Sequence, residues 1–212
     1  MSISRNWLLF LLPLFLLGGG GVLGLMNSKS SPEAAQLAQA GIILLPAARE
    51  LTEVYIDTID GQRFSPAFFE GRWTLVLFGY TYCPDICPAT LSELQRIRAA
   101  MPEEVRNRLG VTMISVDPQR DTHERLQQYM NYFDPAFMGM TGEISEVQKA
   151  SSLMGQAFVP GNTSKEHYTV DHSGNLALID PQGRQVGYVR GPLRESELIQ
   201  QLPKLLRLDV LP

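Results

Sequence analysis

Two cysteines occur in this 212-residue chain, and both fall in one stretch, Gly79-Tyr80-Thr81-Tyr82-Cys83-Pro84-Asp85-Ile86-Cys87-Pro88. Two thiols so placed can close a disulfide, hold a soft metal ion, or do each at different times. At regular helical pitch, residues four apart lie about 5–6 Å from one another, which suits a disulfide and also two ligands of one ion. Each cysteine precedes a proline, however, and a residue before proline is pushed out of the α region. The spacing therefore predicts a turn over 83–87, with Pro88 at the first helical position, where a missing N–H does no harm. Both sulfurs then lie near a helix N-terminus, whose partial positive charge favours the thiolate, the form that attacks disulfides and binds metals. Asp85 between them works the other way, and a bound cation would relieve that conflict.

The elements around this stretch follow from patterning. Thr74 to Phe78 is a continuous apolar run, as expected of a strand buried on both faces. Leu91, Leu94, Ile97 and Met101 recur at helical spacing and predict a helix over 88–101. Val111 to Val116 predicts a second buried strand, and Asp117-Pro118 ends it. Asp121 or Thr122 can cap the next helix, which is expected to run to about Tyr132. Phe137 to Met140 suggests a short strand, and Ile144, Val147, Ser151 and Met154 mark a helical face. Gln156 to Tyr168 reads as a loop. Asn175 to Ile179 and Gln185 to Arg190 are strands joined by the turn Asp180-Pro181-Gln182-Gly183. Leu198, Ile199, Leu202, Leu205 and Leu206 form a last helical face. Upstream, Val54 to Ile59 and Gln62 to Phe64 flank Asp60-Gly61 as a β-hairpin. Strands alternating with helices imply an α/β domain with a mostly parallel sheet, to which the last hairpin adds antiparallel edges. The order looks like the thioredoxin fold with an N-terminal β-hairpin and a peroxiredoxin-type insertion after the second core strand.

Two thiolates alone make an open site, so a third ligand is expected, and imidazole is the natural one. The chain has three histidines. His123 opens a helix in a capping context. His167 lies in the loop. His172 stands immediately before the third core strand, in Tyr168-Thr169-Val170-Asp171-His172-Ser173. In a thioredoxin-like fold that position faces the cysteine turn, and thioredoxins place a cis-proline there. Here no proline occurs between Pro160 and Pro181, and histidine takes the place. A Cys83, Cys87 and His172 set is soft, suiting Cu(I) well and Zn²⁺ acceptably. Structural zinc prefers four closed ligands. Met113, Met138, Met140 and Met154 offer thioethers, but their strand and helix positions read as core.

Length and composition allow one well-buried domain plus extra segments. The net charge is −4, with no basic concentration pointing to nucleic acid. Trp7 to Met26 carries no charge and follows Arg5. Twenty such residues span about 30 Å as a helix, so residues 1–27 are expected to be a single transmembrane anchor. The alternative is a cleaved signal peptide with Leu8 to Leu17 as its apolar centre, although the small-x-small cleavage pattern is poor. Residues 28–48 then read as a tether and 49–208 as the thioredoxin-like domain. Either reading exports the domain to an oxidising space, where two cysteines would by default form a disulfide. As a structural staple, so small a loop gains little entropy.

Three segments carry a family resemblance: Thr81 to Pro88, Val116-Asp117-Pro118-Gln119-Arg120-Asp121-Thr122, and Tyr168 to Ser173. Together they resemble the SCO/SenC family over roughly residues 50–207. The resemblance implies a copper metallochaperone, held in the inner (cytoplasmic) membrane by its N-terminal helix. Its domain would face the periplasm or an equivalent exported space. It implies copper, as Cu(I) and in some settings Cu(II), bound by Cys83, Cys87 and His172. It also implies delivery to the dinuclear copper site of cytochrome c oxidase subunit II, with a copper donor protein upstream. The competing function is a thiol-disulfide oxidoreductase acting on cysteines of that subunit or of other exported proteins. Cys83 would be the attacking thiolate and Cys87 the resolving thiol. The Asp117 to Thr122 motif reads as turn and helix cap, without chemistry of its own.

Overall fold

The computed structural model describes residues 32–165 and 167–207. The chain forms two units, Met1–Ala35 and Gln36–Pro212, and all of the strands among the described residues lie in the second. The anchor expected over 1–27 lies outside the described residues. Among those described, no helix is long and apolar enough to cross a membrane.

Seven strands make one sheet in the order β1-β9-β8-β3-β4-β5-β2. They are β1 (Ile42–Arg49), β2 (Ile56–Asp57), β3 (Trp73–Gly79), β4 (Leu109–Ser115), β5 (Phe137–Gly142), β8 (Leu176–Ile179) and β9 (Gln185–Val189). A separate two-stranded sheet pairs β6 (Phe158–Val159) with β7 (Asp171–His172). The helices are α1 (Pro32–Gln39), α2 (Pro66–Phe69), α3 (Ile86–Ala99), α4 (Glu103–Arg106), α5 (His123–Phe133), α6 (Ile144–Leu153) and α7 (Glu195–Leu205).

All seven residues of β3 and of β4 are buried, as their apolar runs require. Side chains alternate across a strand, and the alternation divides the core in two. Trp73, Leu75 and Leu77 join Leu91, Leu94 and Ile97 of α3, Leu126 and Met130 of α5, and Leu198 and Leu202 of α7. Val76 and Phe78 point the other way, into a cluster with Phe64, Phe69, Val147, Ala150 and Met154. Helices thus cover both faces, and the α/β thioredoxin-like arrangement is present.

Three expectations need correction. The sheet is mixed rather than mostly parallel. β3, β4 and β5 run parallel, but β8 pairs antiparallel with β3, and β9 antiparallel with β8. Nor is the last hairpin an edge, because β1 pairs antiparallel with β9 through Ile42↔Val189 and Ile43↔Tyr188. Residues 42–48, read as the end of a tether, therefore belong to the sheet. The cause is Ile42, which with Leu37 and Ala40 joins the apolar core. The upstream hairpin forms over its expected length, with Val54 N donating to Phe64 O at 3.2 Å. Thr58 N donates to Gln62 O and Phe64 N to Ile56 O around Gly61, whose φ of +72° suits glycine. Only Ile56–Asp57 enters the sheet, against β5.

Candidate metal centre

β3 delivers the cysteines. It ends at Gly79, and Cys83 N donates to Tyr80 O at 3.1 Å, closing a tight turn. α3 then starts at Ile86, two residues earlier than the prolines suggested, so Cys87 lies in its first turn. Pro88 is tolerated there because the first four helical N–H groups have no partner within the helix. Cys83 and Cys87 are both buried free thiols. The Cys87 amide donates to Cys83 Sγ at 3.4 Å, which gives the favourable helix N-terminus a specific contact.

The third side chain arrives from β7. His172 Nε2 lies 3.8 Å from Cys83 Sγ and 3.5 Å from Cys87 Sγ. The three donor atoms all lie within 4.8 Å of one another, a convergence of three such groups seen nowhere else among the described residues. His172 Nδ1 sits 3.0 Å from the Ser173 carbonyl. A carbonyl can only accept, so Nδ1 carries the proton and donates it, leaving Nε2 to face the sulfurs. The ring packs edge-on against Tyr80 at 5.8 Å.

Charge on the sulfurs is unequal. Cys87 donates its S–H toward Cys83, and this outweighs burial and holds the Cys83 thiol down at about 3. The same bond, with burial behind it, pushes the Cys87 thiol up. Burial works against a charged His172, but its contacts with Cys83 and Ser173 prevail and hold it above the usual imidazole value. These contacts favour the thiolate at Cys83, the thiol at Cys87 and a more basic imidazole at His172.

Metal fit can be checked on these distances. Bonds of about 2.3 Å to sulfur and about 2.0 Å to nitrogen, opened to about 120°, separate S from N by about 3.7 Å. The observed 3.5 and 3.8 Å bracket that value. An open cleft of about 340 Å³ lined by Tyr80, Cys83, Pro84, Asp85 and His172, among others, gives the site access to solvent.

Of the other candidates, His123 Nε2 pairs with Asp57 Oδ1 at 2.7 Å and ties α5 to β2. His167 is exposed on its loop. Met113, Met140 and Met154 are fully buried in the core, and the Met138 sulfur accepts from Arg72 at 3.4 Å. What patterning missed is the surrounding shell. Asp121 is fully buried and accepts from Thr81 N at 3.0 Å, Thr81 Oγ1 at 2.6 Å and Ser115 Oγ at 2.7 Å. Burial pushes its carboxyl above the usual carboxylate range, against the pull of these donors. A buried acid just after a strand was the available signal. Its use as a helix cap hid it, since Thr122 makes that cap by accepting from Arg125 N.

Comparison with known proteins gives one consistent answer. The SCO1/SenC family model matches residues 54–207. A protein of Stutzerimonas stutzeri, described as a proposed copper-binding protein, is 41% identical over 181 residues, covering 85% of this chain and 89% of the relative. Among solved structures, apo Sco1 from Thermus thermophilus superposes with a TM-score of 0.69 at 26% identity. It covers 78% of this chain and 96% of that one. Arabidopsis thaliana ScoI, solved with copper bound, gives 0.64 at 28% identity, covering 76% of this chain and 99% of that one.

Proposed function

The chain belongs to the SCO1/SenC family, and from that membership we propose that it is a copper metallochaperone whose ion is held by Cys83, Cys87 and His172. The observation that carries the proposal is the meeting of one imidazole nitrogen with two sulfurs at 3.5 and 3.8 Å. Two sulfurs and one imidazole favour copper over harder ions. The copper named for the Stutzerimonas stutzeri relative and bound in the Arabidopsis structure points the same way. Three ligands at an open cleft suit cargo that must leave. Copper would pass by ligand exchange to acceptor thiolates without a free-ion stage. We assign the acceptor, on the family resemblance, to the dinuclear copper site of cytochrome c oxidase subunit II, supplied by an upstream donor protein. The uncharged segment Trp7 to Met26 would hold the domain at the inner membrane on its exported side.

A second reading has an observation of its own. The Cys87 amide donates to Cys83 Sγ at 3.4 Å, a contact that favours at Cys83 the thiolate a thiol-disulfide reductase attacks with, and Cys87 Sγ lies beside it. Cys83 would attack an acceptor disulfide, and Cys87 would resolve the mixed disulfide.

The test is copper titration of the full chain in detergent, beside His172→Ala. The parent is expected to take up one copper per chain. The variant should bind it more weakly by more than the about 10–100-fold typical of losing an outer-shell partner. A variant that holds copper as tightly as the parent would overturn the ligand set. Rapid reduction of a disulfide substrate by metal-free His172→Ala would favour the reductase.

A further inference from the structure

The turn after β4 has no part in the function above, yet both ligand-bearing segments grip it. We propose that Arg120 and Tyr168, with Asp117, form a clamp that fixes His172 at its distance from Cys83; this rests on the copper site assigned above.

On the His172 side, Tyr168 OH donates to Asp117 Oδ1 at 2.6 Å, and Arg120 Nη2 donates to the Tyr168 carbonyl at 3.1 Å. The Arg120 guanidinium lies 3.6 Å from the centre of the Tyr168 ring. Arg120 Nε also donates to Asp117 Oδ2, and Asp117 is 4% exposed. On the cysteine side, the same guanidinium lies 4.6 Å from the Tyr82 ring centre and 5.7 Å from that of Tyr80. Tyr82 adjoins Cys83. Arg125 covers the same ring at 4.2 Å and donates to Thr81 Oγ1 at 2.9 Å. One planar cation thus binds the approach to Cys83 and the approach to His172 together.

His172 is not itself part of the main sheet. It stands in β7, two residues paired only with β6 in a sheet of their own. Besides that pairing, the approach is held by Val170 N donating to Tyr80 OH at 3.2 Å and Ser173 N donating to Ala157 O at 3.0 Å. So short a pair is a weak constraint, and the clamp supplies what it lacks. Lysine could not replace Arg120, because it offers no flat face to stack and no fork to span Asp117 and the Tyr168 carbonyl.

The test compares Tyr168→Phe, which removes one hydroxyl and keeps the ring, with Arg120→Lys, which keeps the charge. Gln127→Ala serves as a control. It breaks bonds from α5 to the Phe137 carbonyl and the Gly139 amide without touching the clamp. Cu(I) competition titration and amide hydrogen exchange of the metal-free protein are measured on the full chain in detergent. Both clamp variants are expected to bind Cu(I) about 10–100-fold more weakly. They should exchange faster at 169–173 while β3 and β4 keep their protection. The control should lower the thermal midpoint and leave copper affinity unchanged. Unchanged affinity and exchange in Tyr168→Phe, or an equal loss of affinity in Gln127→Ala, would overturn the clamp. If the parent itself takes up no copper, the metal assignment fails, and exchange at 169–173 still decides the clamp. Should Arg120→Lys not fold, Tyr168→Phe decides alone.

Discussion

A side chain at position 79 would collide with the Cys87 sulfur. A Cβ there would lie 2.7 Å from Cys87 Sγ and 3.1 Å from Met113 Sδ. Gly79→Ala is therefore expected to displace the Cys87 sulfur. Overpacking of this kind costs about 1–3 kcal/mol, and copper affinity should fall while the helices persist, which titration and circular dichroism would show together. The unequal thiols give a second outcome at this scale. With Cys83 held at about 3, metal-free protein should keep the ultraviolet absorbance of one thiolate down to about that pH, and Cys83→Ser should abolish it. The linked stability has a definite sign. A group whose folded value is depressed adds stability that is complete above its unfolded value of 9.0 and lost as pH falls toward about 3. His172, held above 6.5, acts oppositely, losing its contribution as pH rises through its folded value. Comparing denaturation midpoints of parent and Cys83→Ser between acid and neutral pH isolates the Cys83 contribution.

At the scale of elements, what patterning revealed and what it hid have physical causes. β3 and β4 were legible because strands buried on both faces must be apolar throughout. α5 was legible from its Thr122 cap, and the last hairpin from Asp180-Pro181-Gln182-Gly183, where Gly183 N donates to Asp180 O at 3.0 Å. His172 was legible because it stands where a related fold places proline. β1 was not, since Pro46 interrupts its apolar run and its exposed residues resemble linker. The β6–β7 pair was not, because two residues carry no period. The start of α3 was misplaced because the steric bias against helical geometry before proline is a preference, and Pro88 in the first turn gives up no intrahelical hydrogen bond. The clamp was invisible because Asp117 and Arg120 meet Tyr168 about fifty residues away, while nearby sequence offered a sufficient local role as turn and cap.

For the molecule as a whole, a ligand that binds only the folded state raises its stability. Free copper at a hundred times its dissociation constant adds about 2.7 kcal/mol, less whatever the unfolded chain's own thiols retain. A domain of this size gains about 2–4 °C per kcal/mol, so the thermal midpoint should rise by up to about 10 °C in calorimetry, and by less in His172→Ala. The flanks of the sheet bear on how copies of the chain meet. One margin, β2, is two residues long. The other, β1, shifts register between Leu44 and Arg49 and carries Pro46, which has no N–H to offer an incoming strand. Crowded together, copies of this protein find among the described residues no long straight border along which to zip into fibrils.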